Sequence, residues 1–262
     1  MTRALILAAG QGKRLRPLTN KKPKCLVELG NKSLLTRQIN TLRRCNINDI
    51  AIVTGYRSTC IEVLGFKTYK NWKYKTTNMV ASLFSAIPFL DSAKDADVVI
   101  SYGDIVYEDK NLLALLDCPD EIAIMVDSKW IDLWSVRMSD PLKDAETLKL
   151  DNNNYITELG KKPTSYTQIQ GQYTGLIKFR SDMIKRLINF YKSLDRNIFY
   201  ANKNFDNMYM TTFLQLLIDD NWKAKAVIVK SGWLEVDSLE DLNKYKSLLI
   251  QDRLSVFYAT ED

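Results

Sequence analysis

Residues 7 to 24 read LAAGQGKRLRPLTNKKPK: small residues at Ala8, Ala9 and Gly10, a second glycine at 12, then six cations (Lys13, Arg14, Arg16, Lys21, Lys22, Lys24) with no acid among them. Small side chains let a ligand lie against the main chain, and successive N–H groups in a tight loop form an anion-binding nest. Lysine and arginine add the charge that phosphate oxygens attract. The combination suits a compact phosphorylated ligand, with Arg14 and Lys24 reaching inward to it. Two familiar phosphate loops are excluded. No G-x-x-x-x-G-K-[ST] stretch surrounds Gly10 or Gly12, and Leu15 stands where the dinucleotide fingerprint places its third glycine.

What the chain lacks narrows the chemistry further. Its 262 residues include no histidine, which removes the Ser-His and Cys-His nucleophile systems and the most frequent general base. Cys25, Cys45, Cys60 and Cys118 stand singly and read as reduced structural thiols rather than zinc ligands. The net charge of +6 admits a polyanionic partner, but the excess sits in the opening loop. With no helix-turn-helix, zinc-finger or RNP pattern, the reading is a phosphate ligand and no nucleic acid. The opening MTRALILAAG lacks a signal-peptide layout, and no apolar run approaches the roughly 20 residues that span a bilayer. A soluble, cytoplasmic protein with no membrane association is expected.

The loop needs elements to hold it. ALILAA (4–9) is a continuous apolar run that reads as a buried strand, so the small residues fall at its carboxyl end, where open α/β sheets bind ligands. SLLTRQINTLRRC (33–45) has helical apolar spacing, DIAIVTG (49–55) and FKTYKN (66–71) read as strands, and TNMVASLFSAI (77–87) as a helix ended near Pro88. DVVISYGD (97–104), a helix around NLLALL (111–116) and EIAIMVD (121–127) continue the alternation. ETLKLD (146–151), YITELG (155–160) and YTGLIKF (173–179) read as strands without intervening helices, a mixed or antiparallel extension of the sheet. Helices at 182–194 and 206–219, a strand at 224–230 and a helix at 238–249 close the chain. The expectation is an α/β fold: a Rossmann-like three-layer arrangement of a mixed, mostly parallel sheet with helices on both faces. No repeat or Pro/Gly-rich linker marks a boundary, so 1–262 reads as a single domain. An exposed helical patch in the 182–219 segment offers a surface for a homodimer.

The order L-A-A-G-x-G-x-R-L-x-P-L-T-x-x-x-P-K closely resembles the signature of the nucleotidyltransferases that make sugar nucleotides and related CMP-activated compounds. The resemblance implies the nucleotide-diphospho-sugar transferase fold, with a nucleotide-binding half at 1–127 and an acceptor-binding half at 128–262. It implies that Leu7, Ala8, Ala9, Gly10 and Gly12 cradle the nucleoside, that Arg14 contacts the triphosphate, and that Lys24 bridges the α-phosphate and the substrate phosphate. It also implies two acidic ligands for Mg²⁺. Asp104 in ISYGDIVY and Asp237 in GWLEVDSLEDL occupy those positions, and carboxylates suit a hard cation on a nucleoside triphosphate. Read alone, Asp104 is equally a turn residue and Asp237 a helix N-cap.

VTGYR (53–57) resembles the nucleobase-proximal turn of these enzymes, with Gly55 and Tyr56 beside the base. KTTNMVASL (75–83) resembles the N-x-x-x-S-L helix start of the phosphocholine-type cytidylyltransferases, which implies CTP and nucleotide contacts from Thr77, Asn78, Ser82 and Tyr102. SYGDIVY, VDSKWIDLWSVRMSDPLKDAETLK, ELGKK, QYTGLIKF and GWLEVDS resemble a bacterial group of capsule phosphoramidate biosynthesis. Its members activate L-glutamine phosphorylated on its side-chain amide. The resemblance places the acceptor phosphate at Lys129 and the amino-acid moiety among Trp130, Trp134, Arg137, Glu146, Glu158 and Tyr173. An α-carboxylate wants an arginine fork such as Arg137, and an α-ammonium wants Glu146 or an aromatic face. Phosphocholine, an aminophosphonate or a sugar 1-phosphate remain alternative acceptors. An inactive regulatory homologue is the non-enzyme alternative.

Overall fold

Successive side chains of a strand point to opposite faces, so an unbroken apolar run is buried only when both faces of its sheet are covered. The computed structural model describes residues 1–260 and shows this in β1 (Thr2–Leu7). Ala4 and Ile6 lie in one core, Leu5 and Leu7 in the other. The remaining strands of the central sheet are β2 (Ile50–Thr54), β3 (Lys67–Lys70), β4 (Asp97–Tyr102), β5 (Ile122–Asp127), β6 (Gln172–Phe179) and β7 (Ala224–Val229). Their order is β7-β5-β6-β4-β1-β2-β3. Neighbours run parallel except around β6, which is antiparallel to both β4 and β5.

The covering helices are α1 (Leu34–Arg44), α2 (Met79–Phe84), α3 (Ile87–Asp91), α4 (Asp109–Asp117), α5 (Trp130–Arg137), α6 (Ile184–Ser193), α7 (Met210–Asp219) and α8 (Leu239–Ile250). Apolar residues of α1, α4, α5 and α8 pack on one face and those of α2, α3, α6 and α7 on the other. The expected three-layer mixed sheet is therefore what forms.

Three local expectations change. The helix read at 77–87 is two helices, and Pro88 lies in the first turn of α3, where its missing N–H costs no bond. Residues 173–179 do not extend the sheet's edge but thread into its middle as β6, while Leu148–Leu150 and Ile156–Leu159 form a separate antiparallel hairpin. Helix α5 was not expected, because the fourth member of its buried i, i+3, i+4, i+7 set (Trp130, Leu133, Trp134, Arg137) is an arginine.

A short ladder outside the central sheet joins distant parts of the chain. Ile105–Tyr107 pairs with Trp233–Glu235, and the Val236 N–H donates to the Asp104 carbonyl at 2.9 Å. Two segments far apart in sequence are thereby fixed side by side at the carboxyl end of β4. All four cysteines are free, and no helix among the described residues is long and apolar enough to cross a membrane.

Candidate active site

The basic loop is organised by two short turns, Lys13–Leu15 and Lys24–Leu26. Leu15 and Cys25 anchor them in the core, which aims most of the loop's cations outward and Lys24 inward. Gly12 makes the entry possible. Its φ of +59° suits a residue without Cβ, and a Cβ there would lie 2.9 Å from the Lys24 Cβ.

Lys24 Nζ donates to Asp104 Oδ2 at 2.8 Å and to Asp237 Oδ1 at 2.6 Å, while Arg14 pairs with the other oxygen of Asp237. Burial works against the Lys24 charge, but the carboxylates of Asp104, Asp237 and Glu235 outweigh it and raise the ammonium above the ordinary lysine range. Burial likewise pushes Asp237 upward, and Lys24 and Arg14 overcome it, leaving the carboxyl below its ordinary value. Glu235 goes the other way: burial, only partly offset by Arg137, pushes it up to about 7.

Asp237 is not the helix cap. Ser238 caps α8 by accepting the Asp241 N–H, and Asp241 Oδ2 accepts the N–H groups of Ser238 (2.9 Å) and Asp237 (3.2 Å). The Asp237 carboxylate is thus left for the site. Among the described residues, the buried Asp104 Oδ1 has no hydrogen-bond partner. Two carboxylates converging on one cation, one with a spare buried oxygen, fit a hard divalent ion. No group of three or more His, Cys, Asp or Glu among the described residues forms a metal cage. Mg²⁺ is typically held in this way, by one or two carboxylates completed by substrate phosphates.

Two clefts meet at this cluster. One, about 180 Å³, is lined by Leu7, Ala8, Ala9 and Gly10 from the end of β1, by Thr77, Asn78 and Ser82 from the start of α2, and by Lys24 and Asp104. The other, about 440 Å³, has Arg14 and Asp237 at the cluster and Trp134, Glu146 and Tyr173 among its walls. Asn78 and Met79 border both. Glu146 is raised by burial, against the hydrogen bond from Thr211.

Several expected site residues lie elsewhere. Tyr102, expected beside the nucleotide, lines the larger cleft. Gly55 and Tyr56 support the loop from behind: a Cβ on Gly55 would meet the Ala9 carbonyl at 2.7 Å, and Tyr56 donates its N–H to Ala9 O and its hydroxyl to Asn20 O. Arg137 lines neither of these clefts. It is buried in ion pairs with Glu235 (2.8 Å) and Asp241 (3.3 Å), which consumes the fork expected for a carboxylate. Lys129 is exposed at the start of α5, and Trp130 packs between Trp134 and Tyr166. Glu158 is tied to Lys161 and Lys149, whose hydrogen bonds lower it to about 2.

Other residues were missed. Glu235 and Trp233 line the larger cleft. Glu235 lies two residues before Asp237 in the strand-like stretch WLEVD, a spacing that puts both on one face and was readable. Asn71, which holds the Thr77 and Ser82 hydroxyls, had no such signal.

Both the sequence and the fold have known relatives. Residues 4–147 match the profile of the MobA-like NTP transferase domain. The chain is 46% identical to a CTP:phosphoglutamine cytidylyltransferase of Campylobacter jejuni, over 91% of this chain and 97% of that one. It is 42% identical to a choline-phosphate cytidylyltransferase of Streptococcus pneumoniae over 31% of this chain and 38% of that one. In three dimensions it resembles the inositol-1-phosphate CTP transferase of T. maritima, with a TM-score of 0.73, 21% identity and coverage of 99% of this chain and 98% of that one.

Proposed function

The chain belongs to the MobA-like NTP transferase family, and from that premise we propose that it is a cytidylyltransferase. It transfers CMP from CTP to L-glutamine phosphorylated on its side-chain amide and releases pyrophosphate. The near full-length similarity to the Campylobacter jejuni enzyme carries this reading.

The site supports the chemistry. The nucleoside lies against Leu7 to Gly10 and the start of α2, with its phosphates directed to Arg14 and Lys24. The acceptor enters the larger cleft. An oxygen of its phosphoryl group attacks the α-phosphorus; that O–P bond forms as the bond to the bridging oxygen breaks, and the electron pair leaves with pyrophosphate. A phosphoryl oxygen is already anionic near neutral pH, so a chain without histidine needs no general base. Lys24, where the two clefts meet, holds its charge against the negative charge shared by both substrates, and positioning with charge neutralisation supplies the acceleration. Asp104 and Asp237 would hold Mg²⁺, which when bound neutralises charge on the triphosphate oxygens. Glu146, beside Trp134 and Tyr173 in the larger cleft, pairs with the acceptor's ammonium.

One observation favours a second acceptor. Asp144, Glu146 and Glu235 line the larger cleft beside aromatic rings, while Arg137 is already paired. That environment would also suit the quaternary ammonium of phosphocholine. The test is pyrophosphate release with MgCl₂ across CTP, UTP, dTTP, ATP and GTP. Each is paired with phosphoglutamine, phosphocholine, 2-aminoethylphosphonate and glucose 1-phosphate. Release with CTP and phosphoglutamine is expected. A maximum with phosphocholine moves the acceptor and keeps the reaction, and no release in any pairing overturns the reading in favour of a binding role.

A further inference from the structure

Asn71 follows β3, buried to 4% exposure, and touches neither cleft. Its main-chain N–H donates to the Thr54 carbonyl at 2.8 Å, which ties it to the end of β2. Its side chain joins two residues of the smaller cleft's wall. The amide orientation is settled by its partners: Oδ1 accepts the Lys73 N–H at 2.9 Å, so Nδ2 points the other way. Nδ2 donates to Thr77 Oγ1 at 2.9 Å and to Ser82 Oγ at 3.0 Å. Both hydroxyls belong to residues that line the cleft.

A hydroxyl has one proton and two lone pairs. The proton of Thr77 goes to the Lys73 carbonyl at 2.9 Å and that of Ser82 to the Asn78 carbonyl at 3.3 Å. One lone pair of each is taken by Asn71. What each hydroxyl retains is a single lone pair, and no further hydrogen bond to either oxygen is made among the described residues. Turning a proton toward the cleft would give up that bond and set a lone pair against the carbonyl, which keeps its backbone donor, the Thr76 N–H on Lys73 O at 2.9 Å and the Ser82 N–H on Asn78 O at 3.1 Å.

Resting on the reading that this cleft takes a cytidine nucleotide, we infer that Asn71 is a specificity-determining positioning residue. It fixes the Thr77 and Ser82 hydroxyls as acceptors only, so that they favour a base carrying an exocyclic amine over one carrying a carbonyl at the same place. Cytosine offers N–H donors at its 4-position where the otherwise similar pyrimidine offers an oxygen acceptor. Against two fixed lone pairs the first gains a hydrogen bond and the second meets repulsion. The structural alternative, that Asn71 only braces the loop, predicts weaker binding of every nucleotide alike.

The experiment is the ratio of kcat/KM for CTP to that for UTP, with phosphoglutamine and MgCl₂, for four proteins. These are the wild type, Asn71→Ala, the double variant Thr77→Val/Ser82→Ala, and the triple combination. Each ratio is taken on one preparation, so the folded fraction cancels. The wild type should favour CTP by about 100-fold or more. Asn71→Ala frees the hydroxyls to rotate and should lower the ratio about tenfold, the weight of one hydrogen bond. The double variant should lower it at least as far, and adding Asn71→Ala to it should change nothing more. An Asn71→Ala ratio within twofold of wild type, or an additive further loss in the triple variant, overturns the inference. If Asn71→Ala does not fold, an unchanged ratio in the double variant overturns it. A wild type that favours CTP leaves the cytidylyltransferase reading standing in each of these cases. A wild type that uses neither nucleotide removes that reading and the inference together.

Discussion

At the residue scale the site is a problem of balancing charge. Lys24 lies within 3 Å of two carboxylates, and without its ammonium Asp104 would lose its cation and Asp237 would keep only Arg14. Lys24→Met is expected to lower kcat by about 10³, the scale of losing one preorganised charge at a reacting centre. Steady-state pyrophosphate release measures it, and a loss under tenfold would take Lys24 out of the transition state. Asp104→Asn removes a carboxylate that has a spare buried oxygen. It should weaken divalent binding at least tenfold, read by Mn²⁺ electron paramagnetic resonance with a non-hydrolysable CTP analogue, as well as abolish turnover. Arg137 calls for a different measurement. Its guanidinium sits between Glu235 and Asp241 with a side chain 2% exposed, so Arg137→Met strands two acids. The expected cost is about 3–5 kcal/mol of stability in urea. Had Arg137 served as the acceptor's carboxylate fork, the same variant would raise the acceptor KM and leave the urea midpoint unchanged.

At the element scale, a helix start and a short ladder put Asp237 beside Lys24 and Arg14. The α8 cap is reciprocal: Ser238 and Asp241 satisfy each other's N–H groups, and Asp241 also receives the Asp237 N–H. Ser238→Ala should cost about 1 kcal/mol. Asp241→Ala should cost more, because it also takes one of the two acids paired with Arg137, and it should depress turnover further than its loss of stability explains. Urea unfolding and kcat measured on the same samples separate the two effects. These elements also mark how far the sequence can be read. β1 was legible because an apolar run with both faces buried has no other use, and the cradle at its end followed from small residues in a fixed order. The helix read from residue 77 begins two residues later, at Met79, whose N–H the Asn78 side chain accepts. The pairing of Ile105–Tyr107 with Trp233–Glu235 was not legible, since three-residue strands carry no periodicity and their register depends on a partner over a hundred residues away. Arg137 was misread for a related reason. An arginine three residues after a tryptophan looks available until the acids that bury it, Glu235 and Asp241, are known. Asn71 gave no signal because the two hydroxyls it holds, those of Thr77 and Ser82, are brought to it by the fold.

At the scale of the whole molecule, β6 decides how the chain holds together. It comes from the second half, yet it lies between β4 and β5 of the first half and is antiparallel to both. Leu176, Ile177 and Phe179 on it are wholly buried, and they feed both cores. The first 127 residues therefore do not contain a complete sheet. Without β6, β4 and β5 would present unpaired edges to each other across a gap about two strand spacings, or roughly 10 Å, wide. Both edges would be apolar on both faces, the condition under which strands aggregate rather than stand alone. The full chain should unfold in urea as a single transition, with circular dichroism and tryptophan fluorescence coincident, because both halves share one sheet. A fragment ending at residue 127 should be insoluble or lack a cooperative transition, although it carries the whole phosphate-binding signature and Asp104. A fragment that instead folds and binds CTP would mean that the halves are separate domains, with β6 an appendage to a sheet that can close without it.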